Sequence, residues 1–122
     1  MVRSGRRRGL GRSRLKRGDV VKAALTGDYG KPRPAVVVQT DLLPSLASVI
    51  LCPFTSDLTD AAPIRIAVEP TSRNGLRLPS HIMVDKIAAL GRTKCREVIG
   101  RLDDITMQQL DEALALVIGL AD

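Results

Sequence analysis

The chain has 122 residues, 44% of them hydrophobic, which is enough for one compact domain with its own core and too few for two of ordinary size. No uninterrupted apolar stretch approaches the roughly 18 to 20 residues that cross a bilayer, so a soluble protein without a membrane association is expected. The net charge of +6 conceals two unlike parts: eight of the nineteen Lys and Arg lie in the first 17 residues, which hold no acid, and the remainder carries eleven bases against thirteen acids, a net of −2.

Residues 1 to 16, a block of Arg, Gly and Ser with scattered apolar residues, cannot bury enough surface to offset the entropy of ordering and read as a disordered basic arm before a domain at 17 to 122. Such an arm either holds a polyanion such as RNA loosely or is a solubilising or misassigned appendage. Gly18 and Asp19 stand where the apolar region of a secretory signal would begin, and Arg6-Arg7 lacks that region too, so a cytoplasmic location is expected.

From Gly18 onward the chain reads as short strands between turn signals, the pattern of a small barrel. Asp19 to Leu25 is a first strand, followed by a Gly- and Pro-rich loop from Thr26 to Pro32. The run from Pro34 to Thr40, with Val36, Val37 and Val38 consecutive, suits a central strand buried on both faces. Ser48 to Cys52 is a third strand, stopped by Pro53, and Thr55 to Pro63 is a polar loop. Ile64 to Val68 alternates as a fourth strand with Arg65 facing water. After the turn-rich stretch from Glu69 to Gly75, His81 to Leu90 is expected as a fifth strand with an irregular end, and Glu97 to Leu102 as a short sixth. The period then changes: Leu110, Ala113, Leu114, Val117 and Ile118 share one helical face. Asp103 and Asp104 suit the positive end of that helix, Thr106 with Gln109 fits a capping box, and Gly119 supplies the stop.

Chemistry has few residues to work with. Cys52 and Cys95 lie far apart without ligand-spaced partners and are expected as two reduced, packed thiols. The acids are scattered, so no metal and no other cofactor is expected. The single histidine, His81, sits in an apolar run and reads as structural or superficial; a ribonuclease built on two imidazoles is ruled out by composition. Lys31-Pro32-Arg33-Pro34 stands at the mouth of the Val-rich strand, where prolines restrict the backbone on both sides of Arg33. Its guanidinium either grips a phosphate, stabilising the charge that develops when a ribose 2′-OH attacks, or pairs an acid at the surface. Cys52-Pro53-Phe54-Thr55-Ser56-Asp57 carries a strand into a hydroxyl pair, which by itself is ordinary turn chemistry.

Taken in order, Arg17-Gly18-Asp19-Val20-Val21, Gly30-Lys31-Pro32-Arg33-Pro34-Ala35-Val36-Val37-Val38, Pro53-Phe54-Thr55-Ser56, Gly75-Leu76 with Ser80, Val84-Asp85-Lys86-Ile87, Ile99-Gly100-Arg101-Leu102 and Leu116-Val117-Ile118-Gly119-Leu120 resemble the MazF/PemK family of ribonuclease toxins over residues 17 to 120. The resemblance implies a mainly β fold with a C-terminal helix, an SH3-like small barrel of the CcdB/MazF/PemK type. It further implies a homodimer that cleaves single-stranded RNA without a metal, leaving a 2′,3′-cyclic phosphate and a 5′-OH. Arg33 matches the family's catalytic arginine and Thr55 its catalytic threonine. Where many members carry Glu before the arginine, the nearest acid here is Asp28, a candidate proton acceptor one methylene shorter. Partners implied are the RNA substrate and an acidic MazE-like antitoxin whose flexible tail occupies the RNA groove, with DNA binding by the antitoxin complex.

The two aromatic residues of the chain, Tyr29 and Phe54, both fall in the segments that carry Arg33 and Thr55. Tyr29 suits base stacking, while Phe54, next to a strand end, suits the core. Tyr29, Lys31, Phe54, Ser56 and Ser80 are the expected RNA contacts. Two other readings remain open at this point: a non-catalytic nucleic-acid binding module that uses its basic arm, and a CcdB-like gyrase poison, whose C-terminal Trp-containing signature is absent from a chain with no Trp.

Overall fold

The computed structural model describes residues 14–25, 31–59 and 64–122. Its strands are β1 (Asp19–Ala24), β2 (Pro32–Val37), β3 (Ser48–Thr55), β4 (Arg65–Val68), β5 (Ser80–Met83), β6 (Ala88–Gly91) and β7 (Cys95–Arg101), and a helix, α1 (Asp104–Val117), follows. All pairings are antiparallel, in the order β4-β5-β3-β2-β1-β7, with β6 also laid along β3. The expected mainly β fold with a C-terminal helix is what forms, and the Val-rich strand is central as its composition requires.

Successive residues of β2 point to opposite faces of the sheet, and both faces are covered. On one, Val36 lies across from Val20 and Cys52, in a cluster completed by Phe54, Ile82, Val84, Leu102 and Leu110. The helix packs here through Leu110, with Met107, Ala113, Leu114 and Val117 around it. On the other face Ala35 and Val37 pair with Val21 and Leu51, and Val49, Ala23 and Cys95 complete a second cluster. Both cysteines are free and buried, one in each cluster.

Several boundaries differ from the sequence expectation for identifiable reasons. β3 runs through Pro53 to Thr55 instead of stopping. On one edge β3 pairs with β6 as far as Leu51 and with β5 only from Phe54, so Pro53 falls in the gap where no partner needs its missing N–H. β2 begins at Pro32, two residues early, because β1 extends far enough to pair Ala23 with Arg33 and Ala24 with Pro32. The expected fifth strand is two strands, β5 and β6, separated by a single 3-10 turn over Val84–Lys86.

Arg65 does not face water. Its side chain is 8% exposed and its Nε lies 3.6 Å from Asp85 Oδ1. The helix cap is also displaced by three residues from the expected box at Thr106. Asp103 is the N-cap and accepts from the Thr106 N–H at 2.7 Å, because Asp103 already offers an acceptor one turn earlier. Gly119, at φ +83°, ends the helix as expected, but Ile118 lies on the exposed side at 56%. Among the described residues, no helix is long and apolar enough to cross a membrane.

Two local devices hold the ends together. Arg17 donates to the Val38 carbonyl and to Asp111 of α1, tying the helix to the end of β2, while Arg101 pairs with Asp19 at 2.9 Å. The turn after β4 is organised by Asn74, whose Oδ1 accepts from Thr71 N and Leu76 N and whose Nδ2 donates to Glu69 O. That turn lies directly on β7. A Cβ at Gly75, where φ is +72°, would stand 2.0 Å from the Ile99 oxygen, and one at Gly100 would stand 2.3 Å from the Asn74 carbonyl carbon.

The expected basic arm falls outside the described residues up to position 13, and Leu15 packs beside the second cluster. Gly100→Ala is expected to cost roughly 2 kcal/mol or more in a urea titration, since backbone on both sides must give way. Asp103→Ala is expected to cost about 1 kcal/mol at neutral pH. The Thr106 N–H holds the Asp103 carboxyl below its ordinary 3.8, so the cap acts above that value and is lost as pH falls below it. The difference between wild type and Asp103→Ala, followed by urea melts from pH 7 to pH 2.5, should therefore shrink only in the acid range.

Candidate nucleic-acid interface

Arg33 and Thr55 arrive at the same end of the sheet. Ala35 stands across from Pro53 in the β2–β3 ladder, and the same register carried two residues further brings Arg33 level with Thr55. Thr55 is in turn the partner of His81 on β5. Arg33, Thr55 and His81 thus follow one another across three strands on the face of the second cluster. Arg33 is exposed, and the flanking prolines leave it the one residue of Pro32–Pro34 with an N–H to give.

Two cavities open on either side of Arg33. The first, of about 280 Å³, lies on the second-cluster side and is bounded by Arg33, Thr55, Pro53, Met83, Lys86 and Leu90. The second, of about 350 Å³, lies on the side of the helix-packed cluster. Its polar lining is Arg33, Lys22, Ser56, Arg77, Ser80 and Glu97, and Leu76, Leu78, Ile99 and an edge of Phe54 form its apolar walls. Arg33 and Phe54 are shared by both cavities. A larger hollow of about 820 Å³, near Gln39, Asp41 and Arg92, contains none of these residues.

The hydroxyl of Thr55 is oriented by its own turn. Its Oγ1 accepts from the Asp57 N–H at 3.1 Å, which leaves the O–H proton available to a ligand. Asp57 is held in the same turn by Thr59, whose hydroxyl and N–H both donate to its carboxylate and keep that carboxyl below the usual range. Ser80 is buried and donates to the Leu78 carbonyl at 2.8 Å, fixing the wall of the larger cavity. Burial, with the charge of Asp85 added, pushes the Cys52 thiol up to about 12, so it offers no nucleophile.

The structure therefore brings Arg33, Thr55, Phe54, Ser56 and Ser80 around one sheet end. Lys31 is exposed just before β2 and lines neither cavity. Phe54 is 2% exposed and paired with Ile82, so its ring is core and only an edge reaches the cavities. Asp28 and Tyr29 lie outside the described residues. Among the described residues, no three of His, Cys, Asp and Glu come together as metal ligands.

Lys22, Arg77, Lys86 and Glu97 also line the two cavities and were not singled out in the sequence. Lys22 and Glu97 are polar positions of strands, where such residues ordinarily mark a solvated face. Lys86 lies within Val84-Asp85-Lys86-Ile87, which was the one available signal.

Comparison with known proteins converges on one family. Residues 16–118 match the family model described as PemK-like, MazF-like toxin of type II toxin-antitoxin system. Over 108 residues the chain is 41% identical to a probable endoribonuclease MazF of Mycolicibacterium smegmatis, covering 88% of this chain and 99% of the relative. It is 29% identical over 114 residues to endoribonuclease EndoA of Bacillus subtilis, covering 88% and 97%. Among solved structures, an endoribonuclease from a mycobacterial species in complex with its cognate antitoxin superimposes with a TM-score of 0.72 at 24% identity, over 86% of this chain and 95% of that one. The Mycobacterium tuberculosis toxin MazF-mt6 gives 0.71 at 22% identity, over 83% and 96%, so the fold is shared even where sequence has diverged. The extent of the family match and the 41% identity agree with the ordered motifs of the sequence: the chain belongs to the PemK-like, MazF-like toxin family of type II toxin-antitoxin systems.

Proposed function

We propose that this chain is the toxin of a type II toxin-antitoxin pair and acts as a metal-independent endoribonuclease on single-stranded RNA in the cytoplasm, with Arg33 and Thr55 as its chemical groups. The observation that carries this reading is the position of Arg33, a permanent cation standing between two cavities at a sheet end, with the Thr55 hydroxyl beside it in one of them. RNA laid across that end would place a phosphate against Arg33 and its flanking nucleotides in the two cavities.

In the proposed reaction the ribose 2′-oxygen attacks the adjacent phosphorus, its proton passing to an acceptor, and the bond to the 5′-oxygen breaks as that oxygen takes up a proton. The products are a 2′,3′-cyclic phosphate and a 5′-OH. Negative charge accumulates on the non-bridging oxygens of the phosphorane. The guanidinium of Arg33 offers several N–H donors in a rigid fork to those oxygens, and Thr55 adds its O–H. Asp28 is the candidate acceptor of this reading, and Lys31, Tyr29, Ser56 and Ser80, with Phe54 at the cavity wall, are its candidate RNA contacts. Lys22, Arg77 and Lys86 add local positive charge for neighbouring phosphates, which matters because the body of the protein is not basic.

The same cationic groove suits an acidic, flexible antitoxin segment as a competitor of RNA. Solved relatives include an endoribonuclease bound to its cognate antitoxin and a MazE-MazF complex from Deinococcus radiodurans. A homodimer would cover part of the apolar surface that Ile105, Leu116, Ile118 and Leu120 leave exposed on and after the helix.

Purified protein incubated with a long RNA in EDTA is expected to give discrete fragments with 5′-OH ends. Arg33→Ala should slow cleavage by about 10²- to 10³-fold or more, and Arg33→Lys should recover little, because the charge is retained without the fork. Both variants should melt within a degree or two of wild type, since Arg33 is exposed. Intact RNA, or Arg33→Ala cutting at the wild-type rate, would overturn the proposal. Thr55→Val, which keeps the shape and removes the hydroxyl, should lower the single-turnover rate by roughly 10- to 10³-fold, with RNA binding measured by filter retention largely kept. Equal single-turnover rates would remove Thr55 from the chemistry.

A further inference from the structure

The larger cavity beside Arg33 contains a group that a simple phosphate groove would exclude. Its charged lining is Lys22, Arg33, Arg77 and one carboxylate, Glu97. A carboxylate repels phosphate, so in a groove for a polyanion it costs affinity unless it meets hydrogen-bond donors. Glu97 is exposed on β7, and among the described residues it holds no ion pair that would explain it as a surface salt bridge.

The backbone also brings Glu97 to this place by an irregularity. Between the pairs Val21↔Val98 and Ala23↔Cys95, β1 contributes Lys22 alone while β7 contributes both Arg96 and Glu97. This is a β-bulge, and a bulge re-aims a side chain out of the regular alternation. A second extra residue, Ile99, lies between the pairs Val20↔Gly100 and Val21↔Val98. Lys22, Glu97 and Ile99 all line the cavity. The opposite wall, around Gly75 and Leu76, is pressed onto the bulged strand by the close approaches of Gly75 to Ile99 and of Gly100 to Asn74.

We propose that this cavity holds the base of a nucleotide next to the scissile phosphate and that Glu97 selects guanine there. The proposal rests on the ribonuclease reading above. A volume of about 350 Å³ with walls of Leu76, Leu78 and Ile99 admits a planar ring with apolar contacts on its faces. A carboxylate has two acceptor oxygens and no donor. Guanine alone among the four bases presents two adjacent donors, N1–H and the N2 amino group, on its pairing edge, which a carboxylate accepts as two parallel charge-assisted bonds. Adenine and cytosine place a ring nitrogen acceptor beside their amino group, and uracil flanks its N3–H with two carbonyls, so each sets a lone pair against a carboxylate oxygen.

Two measurements test this. Mapping 5′-OH ends on a mixed RNA pool should show guanine at one fixed position beside the cut for wild type. Glu97→Gln, which replaces one acceptor with an amino donor, should lower that guanine preference at least about tenfold, as loss of a hydrogen bond to a charged group would. A synthetic oligonucleotide carrying inosine in place of that guanine, which lacks only the N2 amino group, should be cut by the unmodified protein about tenfold more slowly or worse. Discrete cuts with no guanine preference, a preference unchanged in Glu97→Gln, or equal cutting of inosine and guanine would each overturn the proposal and leave the ribonuclease reading standing. A wild-type protein that cuts no RNA would overturn both.

Discussion

The fold is governed by one constraint, that the run from Ala35 to Val38 offers no polar side chain to either face of its strand. A strand of this kind must be covered twice. One face is closed by α1 and the residues around Ile82 and Leu110, the other by Leu51, Val49 and Cys95. At roughly 1.5 to 3 kcal/mol for each fully buried aliphatic side chain, these two clusters dominate the favourable side of folding. Arg33 stands where the apolar run stops, so the same strand that builds the core also fixes the guanidinium at its mouth.

The rest of the site is assembled by close backbone approach. The turn organised by Asn74 lies on β7 at distances that no Cβ would permit at Gly75 or Gly100, and this contact forms one wall of the cavity beside Arg33. The two extra residues in β7 shape the wall across from it. Irregularities at a sheet end thus shape the cavity, while the regular ladders build the core.

Charge behaves in the same local way. The net positive charge comes from the first 17 residues, and the body carries slightly more acid than base. The cations that matter for a polyanion are a few residues gathered by the fold from distant positions: Lys22 on β1, Arg33 on β2, Arg77 after the Asn74 turn and Lys86 in the 3-10 turn. Their effect is short-ranged at physiological salt, with a screening length of about 8 Å. Such an arrangement concentrates positive charge at the sheet end and spreads little over the rest of the surface.

Periodicity and turn chemistry determined much of this protein by themselves: the central Val-rich strand, the helix and its Gly119 stop, the two packed cysteines, and Arg33 held between prolines. These features depend on neighbours in the chain, which is why they can be read from it. What only the tertiary structure decided depends on which strand lies beside which. A proline lacks a donor, so in sequence Pro53 marks a strand end, and it is tolerated because β3 changes partners at that point from β6 to β5. Alternation points Arg65 to water, whereas the fold covers it and sets Asp85 beside it. Thr55 rose above an ordinary turn hydroxyl in the sequence only through family resemblance; the β2–β3 and β3–β5 registers are what set it beside Arg33 and His81. Glu97 and Lys22 carry no signal at all, since a polar residue on a strand looks the same whether it faces solvent or a cavity beside a bulge.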